Sequence, residues 1–174
     1  LGLVTRTEYD PLNRPVTVTT NYKDGTYSAN FPAEDIQTVT EYDRVGNVTA
    51  TTEYANVPGQ SRMTRTEYDE LNRPIRIIQN YRDGVFDPAH ADEDIPRTMT
   101  YDGVGNLLYQ TEFAGISGLE RTAATTYDSL NRPQFVTTNS IAPYQYDPTK
   151  PDRYIRTRIY YDSAGNVSVT TQYY

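Results

Sequence analysis

The sequence predicts an all-β protein: a repetitive array of antiparallel β-hairpins forming a twisted or spiralling sheet, solenoid-like or shell-like in character. Three observations carry this. A Tyr-Asp pair returns six times, at Tyr9-Asp10, Tyr42-Asp43, Tyr68-Asp69, Tyr101-Asp102, Tyr127-Asp128 and Tyr161-Asp162. Each pair runs into a short segment rich in turn-forming residues and then into a β-branched run. No stretch shows a helical period of useful length.

The repeat has two steps. Successive pairs lie 33, 26, 33, 26 and 34 residues apart, so the period is a double unit of 59 or 60 residues. The turns alternate in phase with it. Copies one, three and five read YDPLNRP, YDELNRP and YDSLNRP, whereas copies two, four and six read YDRVGNV, YDGVGNL and YDSAGNV. A strict period over a whole chain marks a repeat architecture. The chain therefore reads as a single array over 1–174, with double units at approximately 1–62, 63–121 and 122–174. It opens on Leu1 and ends within the pattern, which reads as a window of a longer repetitive protein.

The turn chemistry explains each motif residue. Gly46 falls where a type I turn followed by a bulge needs φ > 0, and Gly105 and Gly165 are its counterparts. Asn13, Asn72 and Asn131 hold that position in the other hairpin type, Asn being the next most tolerant residue there. Pro11 suits the first central turn position. Asp10, Asp43, Asp69, Asp102, Asp128 and Asp162 can accept backbone N–H bonds within their own turns, so six repeated carboxylates read as turn-formers rather than catalysts.

The flanking runs are strands. In Thr64-Arg65-Thr66-Glu67-Tyr68, Thr and Tyr alternate with charge, which predicts a packed face and a solvated one. Arg65 and Glu67 are expected to pair with opposite charges across the ladder. The return runs, such as Val16-Thr17-Val18-Thr19-Thr20, are β-branched. In the LNRP hairpins they open on Pro15, Pro74 and Pro133, at a position where no ladder donor is required. The motif tyrosines Tyr9, Tyr42, Tyr68, Tyr101, Tyr127 and Tyr161 recur at one strand position, which predicts packing between neighbouring hairpins. Six hairpins give roughly twelve strands.

The connectors alternate as well. A long one follows each LNRP hairpin, from Asn21-Tyr22-Lys23-Asp24-Gly25 to Glu34-Asp35-Ile36 and from Asn80-Tyr81-Arg82-Asp83-Gly84 to Glu93-Asp94-Ile95. The third, from Asn139 to Ile155, has diverged. Long polar connectors are where a repeat protein places a partner-facing surface. Tyr22, Tyr81, Phe86, Tyr144 and Tyr146 are the candidate partner-binding residues, suited to stacking on glycans or a receptor. Asp24, Glu34 and Asp35, and Asp83, Asp87, Asp92, Glu93 and Asp94, offer oxygens of the type Ca²⁺ takes. No calcium-loop pattern frames them, so solubilising charge is the simpler reading and no cofactor is expected. His90, the single histidine, stands in a loop without triad partners. Asn47-Val48-Thr49 and Asn166-Val167-Ser168 match a glycosylation acceptor, but turn geometry already accounts for both asparagines.

Composition narrows the classes. The chain has 36% hydrophobic residues, 17 Tyr, no Trp and no Cys, which is β-propensity without a conventional apolar core. The Tyr and Thr recur in register, which argues against disorder. A net charge of −7 argues against nucleic acid. No window approaches a membrane span. The lack of Cys excludes a disulfide scaffold and thiol catalysis, and no nucleophile–base or metal constellation stands out, so no enzymatic activity is expected.

The repeated YDxxGN followed by a Thr-ending strand resembles the YD repeat of the Rhs family, which includes bacterial polymorphic toxins, shell-forming subunits of Tc toxin complexes and the teneurins. The resemblance covers essentially the whole chain. It implies hairpins joined edge to edge into one long sheet, a secreted or cell-surface location, and a shell that commonly encloses a toxic domain. The family's self-cleaving core carries DPxG-like motifs. Here Asp10-Pro11, Asp87-Pro88 and Asp147-Pro148 lack the glycine, so this stretch is repeat array only. Twelve strands at about 4.8 Å make roughly 58 Å of sheet, too little to close around a folded guest.

The expected role is thus structural: a filament, a stalk or a part of a shell wall, with neighbouring repeats of the same or identical chains as partners. A glycan- or receptor-binding module and the wall of a toxin cocoon are the alternatives.

Overall fold

The computed structural model describes residues 2–140 and 154–173, and these form twelve strands and one single 3-10 turn. The strands are β1 (Arg6–Tyr9), β2 (Pro15–Thr20), β3 (Ile36–Tyr42), β4 (Val48–Glu53), β5 (Arg62–Tyr68), β6 (Pro74–Gln79), β7 (Ile95–Tyr101), β8 (Leu107–Glu112), β9 (Arg121–Tyr127), β10 (Pro133–Ser140), β11 (Ile155–Tyr161) and β12 (Val167–Tyr173). They make one open antiparallel sheet in which every strand lies beside its neighbours in the chain. The 3-10 turn, Pro88–His90, sits in the second long connector and is capped by the Asp87 carboxylate. By packing, the chain divides into two compact units, Leu1–Ile95 and Pro96–Tyr174, with the boundary inside β7.

The six tight turns share one geometry. In the second hairpin the Gly46 N–H donates to the Asp43 carbonyl at 3.3 Å and the Asp43 N–H to the Asn47 carbonyl at 2.9 Å. This is a type I turn closed by a bulge. Gly46 takes φ 103°, and Asn13 takes φ 61° at the equivalent place. Register shifts one residue before each closing pair, as between Glu8 and Tyr9, mark the bulge in the ladder.

In the first unit the Thr-bearing face forms in-register rows such as Thr40–Thr51–Thr64 and Thr66–Ile77, all half-buried. The opposite face carries Glu41, Arg65 and Glu67 in exposed positions. Apolar mass is sparse. Among the described residues the buried apolar side chains are Ala50, Val57, Ile78, Pro96 and Met99. Two of these, Ala50 and Ile78, are the cross-strand partners of Arg65 on either side. An arginine stem laid between them covers apolar surface while its head stays wet. Of the two charges expected to pair across the ladder, Glu67 meets Arg76 at 3.4 Å, but Arg65 lies opposite Ala50 and Ile78 and bonds the Tyr81 hydroxyl instead; a further cross-ladder pair joins Arg97 to Glu112 at 3.1 Å. Side-chain pairs of this kind stabilise a sheet by roughly 0.2–1 kcal/mol each.

At the end away from the turns, the return strands share a second device. Asn21, Tyr54, Asn80 and Phe113 adopt φ of 48°, 51°, 49° and 52°. The residue after each then donates its N–H back to the leading strand, as Tyr22 does to Val4 at 2.8 Å and Ala55 to Gln37 at 2.9 Å. Left-handed backbone is ordinary for Asn but costs energy at Tyr54 and Phe113. Nothing in the sequence pattern marks those two aromatics for it.

Candidate functional site

The feature repeated along the sheet is the joint between one hairpin and the next, and it is built from the motif residues. Each motif Asp organises its own turn. Asp10 Oδ1 accepts the N–H groups of Leu12 and Arg14, both at 2.9 Å. Asp43 Oδ1 accepts those of Val45, Gly46 and Asn47 at 2.8–3.0 Å. The Arg14 N–H holds the Asp10 carboxyl below the usual carboxylate range, and Asp69 is lowered in the same way by Arg73. At Asp43 burial pushes the carboxyl up, but the Asn47 side chain and the turn N–H groups outweigh it.

Four of the motif tyrosines reach back one hairpin. The hydroxyl of Tyr42 donates to the carbonyl of Pro15 at 2.9 Å, Tyr68 to Val48 at 2.8 Å, Tyr127 to Leu107 at 2.9 Å and Tyr161 to Pro133 at 2.8 Å. The acceptor is always the first residue of the preceding return strand. Tyr101 closes β7 at the matching position. Tyr9, on the first strand, is 57% exposed.

The residue ending the turn completes the joint, and it differs between the two hairpin types. In LNRP hairpins it is arginine. Arg14 Nε donates to Asp10 at 2.7 Å, Nη1 donates to the Asp43 carbonyl at 3.1 Å, and the guanidinium stacks 4.6 Å from the Tyr42 ring centre. Arg132 repeats this with Asp128 at 2.8 Å and the Tyr161 ring at 4.3 Å. In GN hairpins it is asparagine. The Asn47 amide bridges Asp43 at 2.9 Å and Asn72 of the next turn at 2.8 Å, and Asn106 bridges Asp102 at 2.9 Å and Asn131 at 3.1 Å. The sequence reading missed these arginines and asparagines as linkers. Their constant place four residues after the motif Asp was the available signal.

The connectors are organised by a buried acid. Asp35, only 2% exposed, accepts the N–H groups of Lys23 and Gly25 at 2.8 and 2.9 Å and of Asp24 at 3.4 Å. Asp94, 4% exposed, does the same for Arg82, Asp83 and Gly84. Burial pushes both carboxyls up, but the N–H groups prevail and hold them below the usual range. Asn56 ties the short connector in, its amide donating to the Asp35 carbonyl at 2.7 Å.

The acids considered for calcium are thus divided. Asp35 and Asp94 are occupied by backbone, and among the described residues no three Asp, Glu or His side chains come together as a metal group would need. His90 sits on the surface against Asp87 at 3.1 Å, which raises its pKa.

Of the candidate partner-binding aromatics, Tyr22 lies under Arg6, with a hydrogen bond of 2.8 Å and the guanidinium 5.2 Å from the ring. Tyr81 lies under Arg65 at 5.3 Å, its ring edge against Gly84. Phe86 is half-buried. Tyr144 and Tyr146 lie outside the described residues, as does most of the third connector.

No family model matches the chain, and no curated protein does. Among solved structures it is similar to the crystal structure of TcdB2-TccC3, with 17% identity and a TM-score of 0.47 over 97% of this chain. It is also similar to the Photorhabdus luminescens Tc holotoxin pore, with 18% identity and a TM-score of 0.46. The chain spans 9% of each of those chains. Among the described residues no helix is long and apolar enough to cross a membrane.

Proposed function

We propose that this chain is a structural, non-enzymatic segment that extends a β-sheet array outside the cell, as a filament, a stalk or a stretch of shell wall. One observation carries this reading: the joint between hairpins recurs with the same partners and nearly the same lengths, 2.8–2.9 Å for every Tyr-to-carbonyl bond given above. A surface evolved for chemistry would single out one copy; here the function is the repetition. The array needs no metal or cofactor on this reading, and its partners are further hairpins of the same kind. Placement outside the cell follows from the resemblance to YD-repeat proteins.

Insertion of a second copy of residues 63–121 after residue 121 tests it. The inserted double unit should add four strands, read as a matching rise in amides protected from hydrogen exchange, and should raise the thermal midpoint. An insert that remains unprotected would end the proposal.

A further inference from the structure

Two Asp-Gly pairs, Asp24-Gly25 and Asp83-Gly84, stand at matching places in the first and second long connectors. Such a pair is open to rearrangement, because no side chain on the glycine keeps its nitrogen from the aspartate carboxyl. The nitrogen bonds to Cγ, and water leaves, made of the carboxyl hydroxyl and the N–H hydrogen. Solvent water then opens the cyclic imide. Opening at the original main-chain carbonyl leaves the chain running through Cβ and Cγ, an isoaspartate with one extra backbone carbon and no change in mass.

The fold lets neither pair change. Gly25 and Gly84 take φ of 89° and 87°, and a Cβ would lie 3.4 Å from the Tyr22 ring or 3.3 Å from the Tyr81 ring. The aspartates fix the bend that follows. Asp24 Oδ1 accepts the Thr26 N–H and Asp83 Oδ1 the Val85 N–H, both at 2.8 Å. The reactive dipeptide is built into the connector.

We propose that Asp24 and Asp83 are latent isoaspartate sites, held unreactive by Asp35 and Asp94, whose carboxylates restrain the glycine nitrogens. The Gly25 N–H donates to Asp35 Oδ1 and the Gly84 N–H to Asp94 Oδ1, each at 2.9 Å. The N–H groups of Asp24 and Asp83 reach the second oxygen of the same carboxylates at 3.4 Å. Attack on Cγ requires the glycine to give up its N–H and turn toward its own neighbour. Both cost a bond to an ionised acceptor, stronger than one to a neutral group. Asp94 restrains that N–H without removing its proton. Burial pushes its carboxyl up, but the backbone N–H groups hold it below the usual range, too weak a base for an amide. An extra backbone carbon at Asp83 would pull the Gly84 N–H away from Asp94 and loosen the connector, so this restraint protects the connector itself.

The third pair, Asp102-Gly103, is arranged the other way. The Gly103 N–H has no partner among the described residues. Only the carboxyl is held, Oδ1 by the Val104 and Asn106 N–H groups at 3.0 and 2.8 Å and Oδ2 by the Asn106 amide at 2.9 Å. Isoaspartate in the intact chain should therefore arise at Asp102 before Asp24 or Asp83.

Prolonged incubation at neutral pH, with isoaspartyl methyltransferase labelling and peptide mapping, tests the assignment. In the intact chain Asp24 and Asp83 should convert about tenfold more slowly, or slower still, than in unstructured peptides of residues 20–29 and 79–88. Asp94→Ala should speed conversion at Asp83 about tenfold and leave Asp24 unchanged, and Asp35→Ala should do the reverse. Asp69→Ala loosens a turn but keeps the Gly84 bond, and should change neither. If Asp94→Ala unfolds the chain, Asp94→Asn, which keeps one acceptor without the charge, carries the same comparison with a smaller acceleration. Conversion at the peptide rate in the intact chain overturns the proposal. So does a folded Asp94 variant in which Asp83 is no faster, or in which Asp24 and Asp83 speed up alike.

Discussion

The two ends of the strands meet the same problem with the same group and differ in reach. At the tight turns an aspartate captures N–H groups no more than four residues away, as Asp69 does with Leu71 and Arg73. At the connector end Asp94 captures those of Arg82, Asp83 and Gly84 from ten to twelve residues away. The turn acids keep some contact with water, 22% for the Asp69 side chain, whereas Asp94 is 4% exposed. Closing a loop of that length costs chain entropy, and a buried carboxylate with three donors offsets it. A short turn is held by its own residues. A long connector is held by a plug.

Substitutions can break that contrast. The largest effect is expected at the plug: Asp94→Ala leaves three donors without an acceptor and should cost about 3 kcal/mol in thermal unfolding, with hydrogen exchange accelerating across 80–95. Asp69→Ala should cost clearly less, because water can replace the carboxylate at an exposed turn. The reverse order would show that the turns, not the plugs, hold the array.

Acid titration follows from the lowered carboxyls. Groups whose folded pKa lies below the unfolded value of about 3.9 contribute stability that is complete above that pH and is lost as pH falls through the folded value. The thermal midpoint should therefore be level at neutral pH and drop below about pH 4. In Asp94→Asn that drop should be shallower.

Two glycines then separate space from strain. Gly84 has φ 87° and a Cβ there would lie 3.3 Å from the Tyr81 ring, while Gly105 has φ 99° and nothing within 4 Å. Gly105→Ala should cost about 1 kcal/mol from the backbone alone. Gly84→Ala should cost more in thermal unfolding and shift the Tyr81 fluorescence or ring resonances. Last, Tyr68→Phe removes one hydroxyl from one joint and should cost about 1 kcal/mol, read as faster exchange at the β4–β5 ladder.

The same contrast explains what could be read in advance. Turn positions and the Pro15, Pro74 and Pro133 strand openings depend on chemistry within a few residues and appear in the fold as the sequence predicts, whereas the charged face expected to be solvated carries the buried Thr19, Ala50 and Ile78 beside Arg6 and Arg65. Asp35 and Asp94 act across their connectors, so in sequence they were indistinguishable from Asp24 or Asp92, and suggested calcium ligands. Tyr22 and Tyr81 are held by Arg6 and Arg65, 16 residues earlier, a pairing that no local pattern displays. Their shared 59-residue spacing was visible; its cause required the register of the sheet.

The thin apolar core has a consequence for temperature. The heat-capacity change of unfolding grows with the apolar surface exposed and shrinks with the polar surface. A sheet that half-buries threonine rows and buries connector carboxylates and only a few aliphatic side chains should show a low heat-capacity change for its length, and hence a shallow stability curve. The stability of such a sheet should change little between cold and warm surroundings.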